Sequence, residues 1–182
     1  IAARISCLRL LCRHATKNTP CGKCEYCGQI IILDQRTQLQ VALKDFYTLE
    51  AKVWLNDEII NMYMCGYLQK EFLDARSPTS RAPVAHFFNT HFYSKLANTG
   101  RFRNEYHYKN VKTWTRERKM GYIPLKDCEY VFVPINISNN HWVLVIIYVR
   151  KKELVFYDSM RGRLPDAIET TMLAYVRDES ID

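Results

Sequence analysis

Three kinds of hydrophobic pattern follow one another along this chain. Between Tyr130 and Tyr157 the runs YVFVPINI, WVLVIIYV and ELVFY are rich in β-branched and aromatic residues, the composition of strands, and a short basic turn, RKKE, joins the last two. Upstream, NDEIINMYMCGYLQKEFLDA places Ile59, Ile60, Tyr63, Met64, Tyr67 and Leu68 at i, i+3, i+4 spacing, which predicts a helix with these residues on its buried face. Asn56 or Asp57 can cap that helix, and Asp57 and Glu58 are well placed against its dipole. FFNTHFYSKLA predicts a short helix, and PDAIETTMLAYVRDES an amphipathic one with Pro165 near its first turn. LDQRTQLQVALKDFYTLEAKVWL reads as a polar connector leading into helical periodicity, and RSPTSRAP (76–83) as a loop. Helices first, then consecutive strands, then a helix is an α+β order.

Composition narrows the picture. With 182 residues, 48% of them hydrophobic, the chain can bury one ordinary core. No apolar run approaches the roughly 18 residues that span a bilayer. The formal charge of +7 favours acidic partners without saying which. Five of the seven cysteines fall within the first 27 residues, which points to a local metal site and a reducing compartment, the nucleus or the cytoplasm. Three zones follow: a Cys-rich module at 1–32, a connector at 33–42 and the main domain at 43–182. Both termini, Ile1 and Asp182, read as cuts in a longer protein. The acid-free, Arg-rich opening IAARISCLRLLCRHATK suits either a basic helix or an organellar transit peptide.

Cys12, Cys21, Cys24 and Cys27 stand as C-x8-C-x2-C-x2-C, a spacing that suits tetrahedral Zn²⁺, with Pro20 and Gly22 folding the chain back on the metal. Cys7 and His14 are alternative ligands, and reduced thiols without metal are the plainer reading. TPCGKCEYCGQI, with IAAR and LLC before it, is similar to the zinc module of clamp-loader (DNA polymerase III gamma/tau) ATPases. No P-loop occurs in the chain, so the resemblance implies at most a zinc knuckle.

Two titratable groups mark the same end of the apolar hairpin. His141 precedes the strand at 142–149 and Asp158 follows the strand at 153–157, so an antiparallel turn brings them together. An aspartate accepting the Nδ1–H of a histidine would fix its tautomer and leave the other nitrogen as a general base. A surface ion pair at a sheet end is the alternative.

VWLNDEIINMYM, HFFNTHFYSKL, VKTWTRERK, VFVPINISNNHWVLVIIYVRKKELVFYDSM and LAYVRDESID, in this order, resemble the catalytic domain of the Ulp/SENP family, cysteine proteases that process and remove SUMO-like modifiers. The resemblance runs from about Leu43 to Asp182 and implies a papain-like fold. It implies that His141 and Asp158 are the base and orienting members of a Cys-His-Asp triad. Trp54 and Trp142 match tryptophans that wall a narrow tunnel for the modifier's Gly-Gly tail, and Asp57 matches an acid that pairs with a basic residue of the modifier. Facing indoles admit glycine, which lacks a Cβ, and reject bulkier residues.

The family's nucleophile sits in a Gln…D-C-G block several tens of residues beyond the Asp, and none of the seven cysteines has that context. Cys65 and Cys128 read as small buried hydrophobes. The expectation is therefore an incomplete papain-like domain that is inactive as given and whose parent is a SUMO-type isopeptidase needing no cofactor, monomeric and without membrane contact. Two other readings stay open. One is a modifier-binding pseudo-protease. The other is a basic nucleic-acid module, since Arg101 to Lys119 interleaves seven basic residues with Phe102, Tyr106, Tyr108 and Trp114. His91 and Thr113 replace an aromatic and an Arg common in relatives, so the identity of the modifier also stays open.

Overall fold

The computed structural model describes residues 25–76, 83–98, 105–116 and 124–179. It divides into two compact units, Ile1–Gly66 and Tyr67–Asp182.

In the first unit, the short helix α1 (Glu25–Gly28) precedes an antiparallel hairpin of β1 (Ile30–Leu33) and β2 (Gln40–Ala42), then α2 (Leu43–Phe46) with a 3₁₀ turn at Tyr47–Leu49, and α3 (Asp57–Asn61). The stretch read as a polar connector is thus corrected to a hairpin. All four residues of β1 are exposed, so no apolar–polar alternation betrays the strand. What closes it is turn chemistry: the Asp34 carboxylate accepts the Thr37 N–H (3.0 Å) and its hydroxyl, while the Gln38 N–H donates to the Asp34 carbonyl (2.7 Å).

The helix after Asn56 begins as expected, with Asn56 as the cap, its Oδ1 accepting the Ile59 N–H at 3.1 Å. Its buried face is not the expected one. From Met62 to Leu68 the backbone widens to a π-helix, which rotates later residues away from a 3.6-residue register. Tyr63 and Tyr67 are exposed, and Asn61, Cys65, Gly66 and Gln69 are buried instead. The Arg36 guanidinium donates to the carbonyls of Cys65 and Gly66 (3.3 Å to the latter), satisfying oxygens the changed pitch leaves over.

The second unit contains α4 (Gln69–Asp74), β3 (Ala85–Phe87), α5 (His91–Leu96), the strands β4 (Tyr130–Ile137), β5 (His141–Tyr148) and β6 (Glu153–Tyr157), and α6 (Asp166–Asp178). The sheet order is β3-β4-β5-β6, with β3 parallel to β4 and the other pairs antiparallel. The three strands, the short helix and the final helix read from the sequence are all present, and the mixed arrangement is α+β. Gln69 explains how an amide comes to be buried: its Nε2 donates to the Ala85 carbonyl (3.1 Å) and its Oε1 accepts the Phe87 N–H (2.9 Å). The side chain thereby occupies the open edge of β3 as a strand would.

The core lies on one face of this sheet. Val131, Val133 and Ile135 of β4 and Val143, Val145 and Ile147 of β5 pack with Ile168, Met172 and Tyr175 of α6 and with Phe88, Phe92 and Leu96. Phe88 and Phe92 stack at 3.6 Å, and Tyr175 meets Phe92 edge-on at 4.9 Å. Three aromatics of the basic segment are tied to this core. Tyr106, Tyr108 and Trp114 pack against it, and the two tyrosine hydroxyls donate to Asp178 (2.6 Å) and Glu179 (3.0 Å) at the end of α6. Packing and hydrogen bonding thus account for these three aromatics without a nucleic-acid partner. Phe102 lies outside the described residues.

His86 is wholly buried on β3, edge-on to Phe88 at 4.4 Å, and neither ring nitrogen has a hydrogen-bond partner among the described residues. Burial pushes its pKa down to about 3. A histidine depressed on folding leaves the unfolded chain the better proton binder, so its contribution is fully present above about pH 6.5 and is lost as the pH falls towards 3. Between pH 6.5 and 5 this amounts to about 2 kcal/mol, at 1.36 kcal/mol per unit. Urea unfolding at pH 7 and pH 5 should show that loss, and His86→Leu should flatten it; an equal pH slope in the variant would assign the acid lability elsewhere.

Candidate active site

The hairpin β5–β6 builds the site. Its turn holds through Lys151 N–H to Tyr148 O and Lys152 N–H to Val149 O, with Lys152 at φ 55°. The register pairs Tyr148 with Glu153 and ends with Leu144 opposite Tyr157. One step further puts Asp158 across from Val143, so His141 is its diagonal neighbour on the same face. At the other side of His141, Ser138 and Asn139 both adopt left-handed φ (54° and 59°), and the Asn140 N–H returns to the Ile137 carbonyl, so the chain reverses tightly and His141 opens β5 opposite Ile137.

His141 Nε2 lies 2.7 Å from Asp158 Oδ1, with only 16% and 7% of the two side chains exposed. The pairing expected from the hairpin is therefore present, with one correction: Nε2 rather than Nδ1 faces the carboxylate. A neutral imidazole holding its proton on Nε2 carries its lone pair on Nδ1. The turn after β6 explains why Asp158 sits still. Its Oδ1 also accepts the Met160 N–H (2.8 Å) and its Oδ2 the Gly162 N–H (3.0 Å), while the Arg161 N–H donates to its carbonyl. The Met160 N–H first, then the imidazole and the Gly162 N–H, hold its carboxyl below the usual value of 3.8. Gly162 is required for the fit, since a Cβ there would stand 2.4 Å from Oδ2. The sequence signal for this cradle is DSMRG, an aspartate with a glycine four residues on, and pattern reading passed over it.

The remaining expected residues divide between the units. Trp142, half-buried, follows His141 on β5 opposite Asn136. Trp54, 62% exposed, and Asp57, the first residue of α3, stand in the first unit. Of the four expected metal ligands, Cys27 is buried, and Cys12, Cys21 and Cys24 lie outside the described residues, as do Cys7 and His14. Among the described residues no cluster of three or more metal-binding side chains occurs. Cys65 and Cys128 are buried as expected, and burial pushes each thiol up to about 12, so neither is thiolate at neutral pH.

The site is thus a largely buried His–Asp pair at one hairpin end of a mixed sheet packed against helices. The pattern of the Ulp1 protease family, C-terminal catalytic domain, matches residues 53–181, and the chain belongs to that family. It is 36% identical over 156 residues to Ubiquitin-like-specific protease 1A of Arabidopsis thaliana and 38% identical over 149 residues to Sentrin-specific protease 2 of Mus musculus. Those alignments cover 84% and 82% of this chain but only 29% and 22% of the relatives. Among solved structures, the SUMO protease Ulp1 with its catalytic cysteine oxidized to a sulfenic acid superposes with a TM-score of 0.66 at 29% identity, over 84% of this chain and 60% of that one. The form oxidized to a sulfinic acid gives 0.62 at 31% identity, over 78% and 57%.

Proposed function

We propose that this chain is part of a cysteine peptidase that cleaves isopeptide or C-terminal peptide bonds of a SUMO-like modifier. The observation that carries the reading is the 2.7 Å contact between His141 and Asp158 within a chain of this family. His141 takes the proton of a thiol, the thiolate attacks the modifier's terminal glycine carbonyl, and His141 returns the proton to the departing lysine amine. Water, deprotonated by the same histidine, then releases the modifier from the thioester. Asp158 holds the imidazole and stabilises its cation. By their match to the family's motifs, Trp142, Trp54 and Asp57 are each proposed as modifier contacts, Asp57 through a basic residue of the modifier. The nucleus or cytoplasm is the compartment proposed. No described helix is long and apolar enough to cross a membrane.

The test is turnover of a C-terminal SUMO–fluorophore conjugate by the full-length protein, with NEDD8 and ubiquitin conjugates in parallel. Residues 1–182 alone should hydrolyse none of them and resist labelling by SUMO bearing a C-terminal electrophile. A full-length protein that binds SUMO but neither cleaves nor is labelled would be a modifier-binding pseudo-protease. The N-terminal module is proposed to hold structural zinc through Cys12, Cys21, Cys24 and Cys27. Protein purified under reducing, chelator-free conditions should then carry about one equivalent of Zn²⁺ by elemental analysis, as a four-thiolate site predicts; metal-free protein would refute it.

A further inference from the structure

The segment that carries Trp54 lies in irregular backbone between Lys52 and α3, outside any strand. A side-chain relay from α2 reaches it. Asp45, only 3% exposed, uses both oxygens: Oδ2 accepts the Ala42 N–H (2.8 Å), and Oδ1 accepts Asn56 Nδ2 (2.8 Å) from eleven residues away. Asn56 then turns its own Oδ1 to the Ile59 N–H (3.1 Å) at the start of α3. The donor and acceptor ends of the Asn56 amide are thus each assigned, and its orientation has one solution. Capping the first turn of α2 requires only one oxygen of Asp45, whereas the second reaches across the chain to the residue flanked by Leu55 and Asp57. Trp54 and Leu55 stay 62% and 41% exposed, large apolar side chains held outward by a buried polar clamp.

We propose that Asp45 is a positioning residue for modifier recognition, setting the Trp54–Asp57 turn through Asn56. This rests on the reading of Trp54 and Asp57 as modifier contacts. An asparagine at position 45 cannot replace the carboxylate. With its oxygen on the Ala42 N–H, its amide nitrogen meets the Asn56 amide nitrogen; flipping Asn56 then turns a donor towards the Ile59 N–H. Exchanging the two side chains restores every bond, because an amide at position 45 donates to a carboxylate at position 56 that also accepts the Ile59 N–H.

The experiment uses the full-length protein. Asp45→Asn should raise KM for the SUMO–fluorophore conjugate, and Kd for SUMO in a His141→Ala background, by about tenfold, the range expected when a buried donor is orphaned, with kcat within about twofold. The exchange Asp45→Asn with Asn56→Asp should return both to within about threefold of the parent, a coupling that independent sites would lack. Asn56→Ser keeps the helix cap but drops the link to Asp45, so it should raise KM, with Tm lowered by the carboxylate oxygen it leaves unpaired, and serves if Asp45→Asn does not fold. Unchanged KM and Kd in Asn56→Ser, or an exchange that fails to restore them, overturns the proposal and leaves Asp45 a stabilising residue of α2. Trp54→Ala separates the two layers: if it too leaves KM and Kd unaltered, the reading of this turn as a modifier contact has failed, whereas if it weakens both and Asn56→Ser does not, only the relay has.

Discussion

In the full-length protein, His141→Ala should lower kcat/KM for a SUMO conjugate by about four orders of magnitude, the upper range for losing a general acid–base. Two demands converge on this ring. An unperturbed thiol, with a pKa of about 8.5, is mostly protonated at neutral pH and attacks poorly until a base relieves it of the proton. A lysine amine, in turn, leaves only when it is protonated as the C–N bond breaks, and the imidazolium formed in the first step is the acid at hand. No nearby substitute exists in Asp158: the backbone N–H of Met160, the imidazole and the Gly162 N–H hold its carboxyl below the usual range, which makes it a weaker base than an ordinary aspartate. Because β5 is held by eight register pairs to β4, loss of the side chain at its first position should leave the melting temperature close to the parent's. The variant should therefore still bind SUMO and accumulate the uncleaved complex. Kinetics, thermal melts and a pull-down decide it together; folded protein with turnover within about tenfold of the parent would mean that another group takes the proton.

The parts of the fold that were legible were those where one principle dominates. β4, β5 and β6 announce themselves because long runs of β-branched residues have no competing helical reading, and once two of them are joined by a short turn the meeting of His141 and Asp158 follows from topology alone. The identity of the facing nitrogen did not follow. It depends on how the Asp158–Gly162 turn aims the carboxylate, and on the diagonal rather than direct placement of the two residues. The helix after Asn56 was legible in its existence and its cap but not in its face. A 3.6-residue template fails once residues 62–68 adopt π geometry, and Gln69 is buried for its hydrogen bonds to β3 rather than for any hydrophobicity a pattern could register. The β1–β2 hairpin escaped because a strand exposed at every position carries no alternation. The relay from Asp45 to Asn56 escaped for a different reason: its two residues are unremarkable singly, and only coordinates bring an eleven-residue separation down to 2.8 Å. Trp54 and Asp57 were found through motif resemblance, which needs no account of how the turn is held.

Asp158→Asn should fold and yet lose about two to three orders of magnitude in kcat, less than the roughly 10⁴ known for the same change in a serine triad. The reason lies in the count of bonds on the carboxylate. Oδ1 takes both His141 Nε2 and the Met160 N–H, and Oδ2 takes the Gly162 N–H. An amide has one oxygen for these two sites. With its oxygen in the Oδ1 position it keeps the histidine tautomer, but its nitrogen then faces the Gly162 N–H, donor against donor at 3.0 Å, and the side chain must swing away from the ring. With the oxygen in the Oδ2 position, the nitrogen faces both the Met160 N–H and Nε2, which forces the proton onto Nδ1 and removes the base. Neither orientation supplies the negative charge that stabilises the imidazolium, so the first retains partial activity and the second none. Acid should not mimic the substitution in the working range. A carboxyl depressed on folding contributes stability above its ordinary pKa and loses it as the pH falls through the lower folded value, so the pair should stay intact down to the region below 3.8. Rates at pH 5 and 7 for parent and variant, with melts at both, test this. Near-normal kcat in a folded Asp158→Asn would make the aspartate a structural cap of the turn after β6, and the imidazole would have to be oriented by something else.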